Sequence, residues 1–296
     1  NCSDEGCRLI DRHKIGRVNP RDGSHKVFFV GETPTEGEKS LFNGITFDVN
    51  NYMYIADTTN HIVLKSTTPI AEDTSPEFDE VCKFNPAEGI GVPNDIVITR
   101  GGIIFASGQK WDGGGELWRC NTNDKSTQRV KSYPEMTNGI ALSPDERFLY
   151  LSVVKSWTHA RIHRYKLSNS TNVLLSSDIT YFSFTPNTKV GDIPIGGNWN
   201  IHIDGIATDE NNNLYVTLTD GRASVAVIQP SSSGDVGNLV EIIRTGMLSP
   251  TNLAFYKKTL FVVGADTPYG TTPGYIDTYD REHNGRKWKG GTWYKQ

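Results

Sequence analysis

The stretch TNGIALSPDERFLYLS, Thr137 to Ser152, reads as one complete unit of local structure. An amide, Asn138, is followed by glycine and then by apolar residues in alternation, Ile140 and Leu142. A polar turn, Ser143-Pro144-Asp145-Glu146, leads into a second apolar run, Phe148, Leu149 and Leu151. Period-two alternation marks strands, and Ser, Pro and Asp turn a chain for distinct physical reasons. The unit is predicted to be a β-hairpin.

The same unit occurs four more times. It reads FNGITFDVNNYMYIAD from Phe42, PNDIVITRGGIIFAS from Pro93, IDGIATDENNNLYVT from Ile203 and TNLAFYKKTLFVV from Thr251. The leading polar residues are Asn43, Asn94, Asn138, Asp204 and Asn252, spaced by 51, 44, 66 and 48 residues. A period of about 40 to 50 residues built from short strands is the signature of β-propeller blades. Third strands follow as HIVLKS, GELWRC, ARIHRYKL, ASVAVI and GYIDTYD. Asn50-Asn51 and Asn211-Asn212-Asn213 place residues that tolerate left-handed geometry in the turns. No stretch has the periodicity of a long amphipathic helix.

The expectation is therefore an all-β chain, a six-bladed β-propeller with a central metal site, forming one domain over residues 1–296. IGRVNPRDGSHKVFFV, from Ile15, supplies the outer pair of the sixth blade, and Arg281 to Gln296 a closing strand. Closure would remove free sheet edges. The widest interval holds Asp178 to Asn200, rich in Gly, Pro, Thr and Asn, which reads as a loop over one face of the ring.

Composition bounds the function. The 296 residues are 36% hydrophobic and 22% charged, with a formal net charge of −4 and no basic run. That balance argues against nucleic acid as a partner. No apolar stretch approaches the roughly 20 residues of a membrane span. Asn1 in place of Met predicts a processed or trimmed N-terminus. Two glycosylation sequons begin at Asn1 and Asn169, and four cysteines, Cys2, Cys7, Cys82 and Cys120, lack zinc-site spacing. Together these features predict a secreted, disulfide-bonded glycoprotein, with three cysteine pairings open.

On a propeller the inner strands line the channel, so their first residues ring one mouth. Four amides and one carboxylate suit a hard cation held through oxygen, and Ca²⁺ or another divalent cation is the expected cofactor. Asn94, Asn138, Asp204 and Asn43 are the candidate ligands. The competing reading of any single Asn is a strand or turn cap, and Asp95 beside Asn94 reads as a hydrogen-bond partner that fixes the ring. No G-x-S-x-G elbow or phosphate-cradling loop is present.

PNDIVI, TNGIALSPDERFLYLS and IDGIATDENNNLYVT resemble blade starts of the senescence marker protein, gluconolactonase and luciferin-regenerating enzyme family. The resemblance implies six blades around a catalytic divalent metal held by one Glu, two Asn and one Asp. Asn94 and Asn138 match the two Asn ligands and Asp204 matches the Asp, whereas Asn252 matches a residue near the metal. The family's Glu has no counterpart in its usual setting. Asn43 stands in the repeat register; Glu5-Gly6 is the nearest alternative to the family's Glu setting, and Glu32, Glu36 and Glu38 lie in the loop before Asn43.

The resulting expectation is a calcium-dependent hydrolase of lactone or ester type, acting on a small molecule in the channel. Asp204 would be ligand and general base or nucleophile, with His202, two residues away on the same strand face, shuttling a proton. Trp111, Asp112, Trp157, His159 and Trp199 lie in connecting loops, and Trp199 is the candidate for a substrate-facing wall. Two other readings remain at this level. One is a non-catalytic secreted propeller with a structural calcium site, and the other is a metal-free enzyme like strictosidine synthase.

Overall fold

The computed structural model describes residues 2–3, 6–7, 14–19, 22–31, 41–71, 76–85, 87, 92–109, 114–156, 158–190, 193–194, 202–219, 223–265 and 274–286. A short hairpin of β1 (Cys2–Ser3) and β2 (Gly6–Cys7) precedes a second pair, β3 (Lys14–Val18) and β4 (His25–Val30). The first blade is β5 (Phe42–Phe47), β6 (Met53–Asp57), β7 (Ile62–Ser66) and β8 (Phe78–Lys83). The second holds β9 (Pro93–Ile98), β10 (Ile103–Gln109), β11 (Gly115–Asn121) and β12 (Thr127–Tyr133). The third is β13 (Met136–Leu142), β14 (Phe148–Ser156), β15 (His159–Ser168) and β16 (Asn172–Phe184). A two-stranded flap of β17 (Lys189–Val190) and β18 (Ile193–Pro194) intervenes. The fourth blade is β19 (Ile203–Thr208), β20 (Leu214–Leu218), β21 (Ser224–Pro230) and β22 (Gly237–Arg244). The fifth has three strands, β23 (Ser249–Tyr256), β24 (Thr259–Ala265) and β25 (Gly274–Asp280).

Each sheet is an antiparallel meander, and the inner strands β5, β9, β13, β19 and β23 pack side by side in that order. The apolar cores lie between sheets rather than inside any one of them. Tyr54, Phe84, Ile96 and Trp118 fill the wedge between blades one and two, and Phe105, Leu117, Leu149 and Tyr165 that between two and three. Tyr150, Phe184, Leu214 and Val216 join three to four, and Tyr215, Val225, Leu260 and Val262 join four to five. A blade buried on both faces needs no polar face, which is why β9 and β10 are buried along their whole length. By contrast β5 alternates, with Ile45 and Phe47 exposed. The Cys82–Cys120 disulfide ties β8 of the first blade to β11 of the second. Cys2 and Cys7 face each other in the β1–β2 register.

Two expectations need correction. The described residues form five blades, not six. β3 and β4 pair only with each other among them, and Ile15, Phe28 and Phe29 pack against Met53 and Ile55 of blade one. The described end of the proposed closing strand, Arg281 to Arg286, contributes only an isolated bridge, Gly285 to Asp209, and residues 287–296 lie outside the described set. The expected loop from Asp178 is also strand as far as Phe184. Tyr181 and Phe184 are buried in the core between blades three and four, and that burial carries β16 to 13 residues.

The inner hairpins turn alike. Asn51, Glu146 and Asn212 have φ of 66°, 58° and 65°, and each donates its N–H three residues back, to Asp48, Ser143 and Asp209. This is a type I turn followed by a left-handed residue, a common hairpin connection. It explains the Asn residues of two of these turns.

Candidate functional site

At the opposite, upper end of the inner strands the ladder breaks in every blade. Phe42 pairs with Asp57 and Ile45 with Ile55, which leaves Asn43-Gly44 opposite Ala56 alone. Likewise Asn94-Asp95 oppose Ser107, Asn138-Gly139 oppose Ser152, and Asp204-Gly205 oppose Thr217. A bulge with two residues against one frees the first pair from the ladder and re-aims its side chains. The leading residues of the repeat are therefore the bulged residues. In blade five the irregularity falls on Thr251, and Asn252 pairs with Val263.

Close approach between blades explains the glycines beside them. A Cβ on Gly44 would lie 2.7 Å from Asp95 Cα, and one on Gly139 would lie 2.8 Å from the Ile206 nitrogen. Both distances are too short for any side chain. Buried hydroxyls then hold the bulges. The Asp95 N–H donates to Ser107 Oγ at 3.1 Å. Ser152 Oγ donates to the Asp204 carbonyl at 3.4 Å, and Thr217 Oγ1 to the Gly205 and Thr251 carbonyls at 3.4 and 3.2 Å. Thr137 Oγ1 fastens the chain just before Asn138 to the Gly108 carbonyl of the second blade at 2.5 Å. Reading the repeat by its first residues overlooked these groups. Their signal was the hydroxyl that ends three copies, in FAS, YLS and YVT.

The ring is unequal. Asn94 and Asn138 are each 5% exposed, Asp204 and Asn252 are half-buried, and Asn43 is exposed. His202 lies just before β19, half-buried, its carbonyl accepting the Thr219 N–H at 2.9 Å and Oγ1 at 3.2 Å. Asp95, in the bulge of blade two, is a second carboxylate at this end and is buried. It accepts the N–H of its neighbour Ile96 at 2.9 Å, that of Ile140 in blade three at 3.2 Å, and a side-chain hydrogen bond from Asn252 in blade five. Burial lifts its carboxyl from the ordinary 3.8 to about 6, while those three donors oppose the rise. Asn252 Oδ1 takes the Leu253 N–H at 2.8 Å, so its amide is engaged at both ends. Asp95 and Asn252 thus brace the ring.

Asn138 differs from both. Its Oδ1 is buried and has no hydrogen-bond partner among the described residues. An orphaned buried acceptor costs about 1–3 kcal/mol, and in native structures it calls for an explanation such as a missing ion or water. A hard cation would supply such a partner, and the donor set of Asn94, Asn138 and Asp204, all oxygen-bearing, is chemically compatible with one. Among the described residues no group of three or more His, Cys, Asp or Glu could hold a metal, so the amides are essential to any such site. Glu5, Glu32, Glu36, Glu38, Trp111, Asp112, Trp157 and Trp199 lie outside the described residues. His159 is exposed at the start of β15, its Nδ1 2.8 Å from Thr158 Oγ1.

The fold and the rim define a class, a β-propeller whose inner strands begin in bulges that carry oxygen-bearing side chains. Within that class the chain belongs to the SMP-30/gluconolactonase/LRE-like family, whose model matches residues 10–266. No curated protein sequence matches it significantly. Among solved structures it is similar to a gluconolactonase from Xanthomonas campestris, at TM-score 0.57 and 18% identity over 83% of this chain and 74% of that one. Similar too is regucalcin, a calcium-binding protein from Agrobacterium tumefaciens, at TM-score 0.56 and 13% identity over 83% and 91%. A chain of a nidogen–laminin complex matches at TM-score 0.54 and 16% identity over 85% and 82%. At these identities the likeness is one of fold.

Proposed function

We propose that this protein is a metal-dependent hydrolase of small lactones or esters, working at the upper mouth of its channel. The orphaned Oδ1 of Asn138 carries the proposal, and the family membership supplies the reaction class. Asn94, Asn138 and Asp204 would hold the cation, with Ca²⁺ favoured by a donor set made only of oxygen. When bound, the cation polarises a carbonyl and lowers the pKa of water beside it. The two amides, set by their bulges and by the hydroxyls behind them, orient the substrate's carbonyl side. Asp204 acts as general base, and His202 passes the proton towards solvent. Asp95 keeps its carboxylate on Ile140 and Asn252 and holds the frame. The Cys82–Cys120 disulfide supports an oxidising, extracellular location, and exposed Asn169 a glycan.

A second reading has its own observation. Asn43 is exposed, so the described residues offer no fourth inward ligand from blade one. A weaker cage suits a structural calcium site in a binding protein. The nidogen–laminin match shows that this fold also occurs in a protein–protein assembly. Calorimetric titration with Ca²⁺, followed by lactone hydrolysis before and after chelation, separates the readings. The hydrolase reading expects binding, turnover and loss of both in Asp204→Ala. Binding without turnover on any lactone or phosphotriester leaves the structural site. Absence of binding by the wild type removes the cation altogether.

A further inference from the structure

Far from the bulged rim, the chain after β25 does something the repeat does not require. We infer that Arg281 to Arg286 form a strap that fastens the lower turns of blades three to five to one another, with the Arg286–Glu146 pair as its releasable lock. The strap leaves blade five with the Arg281 N–H on the Lys258 carbonyl at 2.7 Å and the Gly285 N–H on the Lys257 carbonyl at 2.8 Å. It then crosses blade four. The Asn284 carbonyl takes the Glu210 N–H at 2.8 Å, Asn284 Nδ2 reaches Glu210 Oε1 at 3.1 Å, and the Arg286 N–H meets the Thr208 carbonyl at 2.9 Å. Gly285 bridges Asp209 and lies so close to Phe255 that any Cβ there would strike the ring. Only glycine lets the strap lie flat.

The lock belongs to blade three. Glu146 occupies the left-handed turn position, which sends its side chain inward, where it is 3% exposed. Arg286 Nη2 donates to its Oε1 at 2.7 Å. The Arg100 backbone N–H, from the turn of blade two, donates to both carboxylate oxygens at 3.1 and 3.2 Å, and Arg100 Nη2 donates to the Pro144 carbonyl at 2.9 Å. One six-residue segment therefore links the lower turns of blades five and four directly, and those of blades three and two through the buried Glu146 carboxylate. Burial pulls the Arg286 guanidinium down to about 10, while Glu146 acts to raise it, as expected of a cation held in the interior by one strong partner. Removing that partner leaves Glu146 buried with its charge less compensated, so its turn must open to water. With the strap in place the lower turns of blades three to five are held together, and release of the lock exposes them to solvent.

This inference does not depend on the proposed hydrolase activity. Hydrogen–deuterium exchange on the full chain tests it, with Arg286→Ala compared with wild type. Exchange at Arg100 and Glu210 is expected to rise by roughly tenfold or more, while Asp95 and Ile140 at the upper end keep their wild-type rates. Should Arg286→Ala not fold, Arg286→Lys keeps the charge but loses the fork, and is expected to give a smaller rise at the same two amides. Unchanged exchange at Arg100 and Glu210, or equal acceleration at both ends of the strands, would overturn the strap.

Discussion

The two ends of the inner strands use the same residue types to opposite effect. At the lower end, Asp209 accepts the N–H groups of Asn211 and Asn213, both at 2.9 Å, with Asn213 Nδ2 at 2.7 Å and the Tyr215 hydroxyl at 3.3 Å. Asp48 does the same for Asn50, Tyr52 and Tyr54. Every donor comes from the residue's own hairpin, so these carboxylates are spent on closing turns. At the upper end the bulges detach Asn94, Asn138 and Asp204 from the ladder, and Asn138 Oδ1 is left without a partner; Asn212 Oδ1 in a lower turn is also bare, but it is a single turn residue with no ring of released side chains around it. Satisfied polar groups build a fold. Unsatisfied ones, held rigidly, are what a ligand can use.

The comparison can be broken at either end. The largest effect is expected from Asp204→Ala, which removes the proposed general base and should lower lactone turnover by about 10²–10⁴-fold, with the melting temperature little changed. A parallel loss of stability in a thermal scan would move Asp204 to the structural side. Next comes Asp209→Ala, which strands several buried donors and should cost roughly 3 kcal/mol of stability. Urea denaturation measures that cost, and the folded variant should bind Ca²⁺ like the wild type.

Asp95 sharpens the contrast through pH. Its folded value of about 6 lies above its unfolded 3.8, so its stabilising contribution is complete below about pH 4 and is lost as pH rises towards 6. In chelator, that loss should reach about 3 kcal/mol between those limits, and Asp95→Asn should flatten it. Denaturation midpoints at pH 4 and 6.5 give the slope, and equal slopes in both proteins would contradict the assignment. The smallest stability effect belongs to Asn138→Leu. Losing an orphaned acceptor should change stability by less than about 1 kcal/mol, or raise it, while cation affinity in calorimetry falls. A large destabilisation would mean that the amide already has a partner in the fold.

Much of this was legible along the chain. All five hairpins and their third strands lie where alternation and turn residues put them, because period two and left-handed Asn are local properties. The candidate site was readable only as a list of leading residues. Nothing in TNGIAL distinguishes Asn138 from Asn43 in FNGITF, yet one is buried with a bare oxygen and the other is exposed. Asp95 looked like a neighbour of a ligand, and its reach to Ile140 and Asn252 joins residues 45 and 157 positions away in sequence.

By itself, then, the sequence determined the strands, the turns, the repeat and the residue at the head of each blade, since these follow from spacing and local conformation. Only the tertiary structure decided how many blades the described chain forms, which amides go unsatisfied, and that the segment after β25 crosses the lower turns of blades five and four to reach Glu146 in blade three. Those outcomes depend on which surfaces meet between sheets far apart in sequence. Burial and hydrogen-bond satisfaction are set there, between blades, and not within any one copy of the repeat.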